Sequence, residues 1–172
     1  MKLKSMPPVL KGEPLLLILG SMPGSQSLEK QQYYANPRNQ FWKMLSDYFR
    51  VDLTALSYES RKSYVASHRI ALWDILQECE RIGSLDSAIR RESFNPISEF
   101  IEANPSILAI GCNGTKAFQS LKKYEKEKTT LQTPAVKLPS TSPVPGKNVL
   151  SYTEKCDVWH TFIHQYLKGA KS

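Results

Sequence analysis

The sequence predicts an α/β fold: a three-layer α/β/α sandwich around a central, mostly parallel four-stranded sheet. Three observations predict it. Four short, largely apolar runs, residues 15–19, 70–73, 106–110 and 135–138, read as strands bounded by Gly, Pro, Asn or Asp. Stretches with helical spacing separate them, which argues for crossover connections and a sheet between helical layers. The run 15–19 contains no polar residue, as expected of a central parallel strand covered on both faces. Ligands in such folds bind beyond the carboxyl ends of the strands. Here that is where the loops after Leu19, Ile110 and Leu138 converge.

The elements follow in order. Residues 1–14 are polar and carry proline, and read as an N-terminal arm. After the first strand comes the turn Gly20, Ser21, Met22, Pro23, Gly24. Asn36 followed by Pro37 reads as a helix start, with a side-chain cap and then proline at the first helical position. Phe41, Leu45, Tyr48 and Phe49 would be that helix's buried stripe, with Asn39 in its first turn nearly opposite. Residues 60–67 read as a polar helix, residues 70–73 as a strand with Asp74 just past it, and Asn95 with Pro96 as the start of a helix to about Ala103. The strand 106–110 is expected to end at Gly111, and residues 115–122 to be helical. The chain closes on an amphipathic helix with Val158, Trp159, Phe162, Ile163, Tyr166 and Leu167 on one side. His160 and His164, at i and i+4, then fall on the solvent side, where no further ligand completes a metal site.

At 172 residues the chain is expected to form one domain over 1–172. A composition of 41% hydrophobic and 23% charged residues is that of a soluble globular protein. No apolar run is long enough to span a bilayer and no signal-peptide pattern stands at Met1, so a cytoplasmic location is expected. The three cysteines, Cys79, Cys112 and Cys156, are scattered, with no CxxC pair, and cannot supply a four-thiolate cluster or zinc site. They read as buried thiols in a reducing compartment. The net charge of +7 favours a polyanionic partner, since neutralising phosphates releases counterions.

The first loop lets backbone amides approach a ligand at Gly20 and Gly24, with Pro23 stiffening the turn. It lacks the glycine spacing of a dinucleotide fold and the Gly-Lys-Ser/Thr of a P-loop. The Asn39 amide would either hold a water, or cap orphan helix donors. Tyr33 and Tyr34 would stack on a base or pack in the core. Residues 139–146 are rich in hydroxyls and prolines. Ser140, Thr141 and Ser142 would grip phosphates, and Val144 between Pro143 and Pro145 would form a rigid apolar tip suited to wedging into a base stack. The alternative for this segment is an ordinary surface loop. Asp74 is the one carboxylate at the mouth placed to act as acid, base or electrostatic stabiliser.

Together these residues resemble the uracil-DNA glycosylase superfamily, most closely its hypoxanthine-DNA (deoxyinosine) glycosylase branch. The likeness rests on Gly20 to Gly24 with Ser27 and Leu28, on Tyr33, Tyr34, Asn36, Pro37, Asn39, Phe41 and Trp42, and on Leu138 to Pro143. In the uracil-removing branches the first loop carries an Asp or Asn that activates water; here that position is Met22. The resemblance implies that Asn39 takes over water positioning, and that Ser140 stands where several branches place a histidine. It implies base contacts from Gly20, Ser21, Met22, Pro23, Gly24, Tyr34 and Asn113. Contacts with the DNA backbone or a wedge would come from Ser25, Thr141, Ser142, Pro143, Val144 and Lys147, with Asp74 and Ser140 supporting catalysis. A monofunctional, cofactor-free and metal-free monomer acting on double-stranded DNA with a deaminated base follows, no lysine being placed as a nucleophile. A uracil- or mismatch-type glycosylase, a non-catalytic lesion-binding module and a small-molecule enzyme using the Gly20–Gly24 loop for phosphate stay open as alternatives.

Overall fold

The computed structural model describes residues 2–143 and 149–168; Val144 and Lys147, expected at the wedge, lie outside the described residues. The central sheet has four parallel strands, β2 (Leu16–Gly20), β3 (Ile70–Asp74), β6 (Ala109–Asn113) and β7 (Ala135–Leu138), in the order β3-β2-β6-β7. Both faces of the sheet are covered because alternate residues of each strand feed opposite cores. Leu16 and Ile18 of β2 join Ile70, Leu72 and Ala109 in one core. That core is completed by Phe41, Met44 and Leu45 of α2 (Phe41–Phe49), Val65 of α3 (Tyr58–Ser67), and Trp159, Phe162 and Ile163 of α6 (Tyr152–Leu167). Leu17 and Leu19 join Ala71, Trp73, Ile110 and Cys112 in the other, closed by Ile97 of α4 (Ile97–Ala103) and Ala117, Leu121 and Tyr124 of α5 (Thr115–Glu127). This is the three-layer sandwich expected from the alternation of strands and helices.

Several boundaries differ from the sequence reading, each for a physical reason. The helix expected at Pro37 begins at Phe41. Asn36 starts a turn instead: its Oδ1 accepts from Arg38 N–H at 2.9 Å and its carbonyl from Asn39 N–H at 2.9 Å. Such local side-chain bonds compete with helical ones. Gln40 N–H is drawn away to Thr141 O at 2.9 Å, which ties the turn to the last loop. The third strand runs 109–113 and not 106–110, because Gly111 is a strand residue rather than a terminator. A Cβ there would stand 2.8 Å from both Leu138 Cδ1 and Phe162 Cε2 and 3.1 Å from Ile18 Cδ1. Gly111→Ala is therefore expected to destabilise the fold by about 1–3 kcal/mol through overpacking, read as a lower urea midpoint at unchanged slope.

Other features were not expected. The arm contributes β1 (Lys2–Lys4), which pairs antiparallel with β4 (Leu76–Glu80), itself paired with β5 (Arg90–Phe94), as a second three-stranded sheet. A short helix α1 (Ser25–Lys30) follows the first loop. His160 is half-buried rather than exposed: its Nε2 lies 2.9 Å from Met44 O on α2, while His164 is exposed with Nδ1 3.5 Å from the Tyr48 hydroxyl. The three cysteines are free and buried, and burial pushes the Cys112 thiol up to about 12, so it is inert at neutral pH. Among the described residues no helix is long and apolar enough to cross a membrane.

Candidate active site

The carboxyl ends of β2, β3, β6 and β7 open into a cavity of about 740 Å³. It is lined by the first loop, by Tyr33, Tyr34, Asn36 and Asn39, by Asp74 and Asn113 at two strand ends, and by residues 137–143. That volume lies within the ~300–1,000 Å³ of small-molecule pockets. Segments far apart in sequence thus meet where the topology of a parallel sheet places ligands.

Asp74 sits at the floor. It pairs in register with Gly20 on the neighbouring strand and is 4% exposed, and its Oδ2 has no hydrogen-bond partner. Burial, reinforced by the Asp86 carboxylate and opposed by the Arg81 guanidinium, pushes its pKa up to about 7. Gly20 is glycine because of this side chain: a Cβ there would come 2.5 Å from Asp74 Oδ1 and 3.6 Å from the Tyr34 hydroxyl. Carboxyl and phenol therefore converge over one backbone position.

Tyr34 adopts a left-handed backbone with φ of 55°, unusual for an aromatic residue and the kind of strain found at functional sites. Phe41 covers one face of its ring at 4.0 Å between centroids. Its hydroxyl is held well above the ordinary phenol range, chiefly by burial and also by Asp74, with a hydrogen bond from Asn113 opposing them. Tyr33 instead packs in the core, its hydroxyl donating to Pro7 O at 2.9 Å.

Asn39 lines the cavity from the turn ahead of α2, not from the helix. Its Oδ1 accepts from Phe41 N–H at 3.0 Å, which fixes the side chain against the helix start. The capping role is thus real, and it uses one of the two lone pairs of the oxygen. Asn113 likewise reaches the wall, but its amide is engaged with Thr141: Nδ2 donates to Thr141 Oγ1 at 2.9 Å and Oδ1 accepts from Thr141 N–H at 3.0 Å. It anchors the last loop to the sheet.

That pairing corrects the reading of Thr141 as a phosphate grip: at 1% exposure, with its backbone and hydroxyl both engaged, it is a tether. Ser140 is exposed at the rim, its Oγ accepting from Ser142 N–H at 3.1 Å. Ser142 and Pro143 stand half-buried beside it. In the first loop, Ser21 donates its hydroxyl to Asp86 Oδ1 at 2.6 Å, and Met22 packs into the second core. Ser25 N–H is taken by Ser84 Oγ at 2.8 Å, which removes that amide from those able to meet a ligand.

Sequence reasoning missed the segment 81–87. Arg81, buried, donates to Pro23 O at 2.6 Å and to Gly83 O at 2.9 Å, clamping the first loop from behind. It also missed Lys155, on the first turns of α6, which lines the cavity with its ammonium 3.1 Å from Gln40 Oε1. No local motif marks either; only the tertiary fold brings them to the site.

The fold and cavity define a class, and comparison with known families agrees. The profile of the uracil DNA glycosylase superfamily matches residues 7–162, and the chain belongs to that superfamily, whose members are hydrolytic DNA glycosylases. It is 35% identical over 117 residues to a protein of Methanosarcina barkeri named hypoxanthine DNA glycosylase, covering 68% of this chain and 74% of that one. A protein of the same name from Methanosarcina acetivorans is 39% identical over 114 residues, covering 66% and 72%. A solution NMR structure from Methanosarcina acetivorans, described as a candidate uracil DNA glycosylase, superposes with a TM-score of 0.79 at 32% identity, covering 98% of this chain and 99% of that one.

Proposed function

We propose that this chain removes hypoxanthine from deoxyinosine in double-stranded DNA, as a monofunctional and monomeric glycosylase that needs no metal or organic cofactor. The observation that carries this reading is the convergence of Asn39, Tyr34 and Asp74 on one cavity at the mouth of the sheet. The name shared by two relatives supports the choice of base.

The damaged nucleotide is extruded from the stack, and a mispaired hypoxanthine costs less to unpair than a sound base. Its ring stacks on Tyr34, whose other face rests on Phe41. As the C1′–N9 bond breaks, its electron pair leaves with the base and the sugar takes on oxocarbenium character. Asp74, which burial keeps protonated below about pH 7, donates a hydrogen bond to O6 of the departing base, where negative charge develops. Asn39 holds a water through the free lone pair of Oδ1, and that water adds to C1′. The proton it sheds ends on the departing base, leaving hypoxanthine and an abasic site.

Gly20 is the spacer that lets Asp74 occupy this position. Gly20→Ala is expected to displace the carboxyl and slow base release by roughly 10²-fold, the usual penalty for a misplacement of about 1 Å. The same variant should lose about 1–3 kcal/mol of stability, so kinetics measured well below its melting temperature separate the two effects.

The test is base release from duplexes carrying one defined lesion, read by alkaline cleavage of the abasic product. Release of hypoxanthine, with less or none from uracil and undamaged duplexes, is expected; robust uracil release without hypoxanthine would refute the choice of base. A second reading, a lesion-binding module without catalysis, is favoured by one observation: Asn39 Oδ1 already caps α2. It predicts that lesion duplex is bound and no base of any kind is freed.

A further inference from the structure

We infer that Lys155 is a phosphodiester-binding residue, gripping the DNA backbone next to the extruded nucleotide from inside the cavity. The inference rests on the DNA-glycosylase reading but uses a residue that reading leaves idle. Lys155 is 5% exposed and lines the cavity wall. Its ammonium bonds one neutral partner, Gln40 Oε1 at 3.1 Å. Every ion pair among the described residues involves other lysines or arginines, so no carboxylate neutralises it.

Its position on the helix makes the cost larger. Lys155 follows Ser151, the N-cap of α6, by four residues, and the positive end of a helix repels a cation. The acidic residue of that first turn, Glu154, is committed to Ser151 N–H in a capping box and makes no ion pair with Lys155. A buried, unneutralised cation beside a helix N-terminus is destabilising in the free protein. Burial accordingly pushes its pKa down. An ammonium has three donors and Gln40 takes one, which leaves two for a ligand with several negatively charged oxygens.

The location selects which anion. Gln40 follows Asn39 in sequence and its N–H bonds Thr141 O, so Lys155 lies at the joint between the turn that carries Asn39 and the last loop. A base that enters the cavity with its sugar facing Asn39 brings its flanking phosphate to that joint. A bound phosphodiester would supply the charge that the protein withholds.

The test uses a duplex with a tetrahydrofuran abasic-site analogue, so binding is read without base release. Lys155→Met is expected to weaken binding roughly 10–100-fold, as for loss of a charged hydrogen bond, and to reduce the slope of log affinity against log salt by about 0.9. An uncharged methylphosphonate at the phosphate 5′ or 3′ of the site should weaken wild-type binding by a similar factor, and one of these two positions should cost the Met variant nothing more. The Met variant should melt no lower than wild type, whereas a residue that merely holds Gln40 in place would lower stability when removed. Lys155→Arg, which keeps the charge, should recover part of the affinity.

Unchanged affinity and salt slope in the Met variant would overturn the inference. So would multiplicative losses from variant and methylphosphonate at both positions. Borohydride trapping of wild type on a natural abasic site, abolished by Lys155→Met, would overturn it in favour of a nucleophilic amine. A chain that binds the analogue in this way yet frees no hypoxanthine would leave the inference standing and defeat the proposed function alone.

Discussion

Asn39→Ala is expected to slow hypoxanthine release by roughly 10²–10³-fold while affinity for lesion duplex changes little. The magnitude is that of removing one positioned polar group from a site where charge develops. The amide is well suited to hold a water because capping fixes it: the bond from Phe41 N–H locks the side chain, so the second lone pair of Oδ1 has a set direction. Removing the cap also costs stability, about 1 kcal/mol. Asn39→Asp separates the two roles, since a carboxylate caps as well as an amide and still accepts from water. It should restore the melting temperature and part of the rate. Single-turnover release with enzyme in excess, alongside equilibrium binding of the tetrahydrofuran duplex, measures both; equal rates for wild type and Asn39→Ala would remove Asn39 from the chemistry.

Asp74→Asn is expected to make the protein more stable at alkaline pH and its activity less dependent on pH. The folded carboxyl titrates at about 7 against an ordinary 3.8. Between those values the unfolded chain has released the proton and the folded chain has kept it, so stability falls as pH rises through this window. The full loss is roughly 4 kcal/mol at most, one unit being worth about 1.4 kcal/mol. Asparagine has no charge to bury, so the variant should match wild type near pH 4 and exceed it by up to that amount at about pH 8. Urea unfolding at the two pH values checks it. In catalysis, wild-type release should decline as pH rises through about 7, as the carboxyl loses the hydrogen it donates. The asparagine variant keeps a donor in its NH₂ and should show a flatter profile; an unchanged profile would show that Asp74 does not titrate in the reacting complex.

The parallel sheet was legible because its strands are apolar runs of the right length, and α6 because its stripe repeats at helical spacing. The antiparallel sheet was not, since β4 and β5 are short and mostly polar or charged, and β4 is held by pairing with the arm on one side and with β5 on the other. The start of α2 was misplaced because Asn36 and Pro37 fit a helix cap equally well, and only the bond from Gln40 N–H to the last loop decides for a turn. Of the cavity lining, Gly20, Tyr34, Asn39 and Asp74 were readable from turn, aromatic and strand-end positions. Thr141 was misread since hydroxyl-rich loops look alike whether a threonine faces solvent or an asparagine on the sheet. Arg81 and Lys155 carry no local signature, because their meaning comes from what they face across the fold.

The most direct test is a crystal structure of the protein with a duplex carrying 2′-fluoro-deoxyinosine, whose electron-withdrawing fluorine slows formation of the oxocarbenium-like sugar. Hypoxanthine should lie in the cavity against Tyr34, with O6 at Asp74 and a water between Asn39 Oδ1 and C1′. A base still stacked in the duplex, or one seated with its sugar turned away from Asn39, would contradict the account.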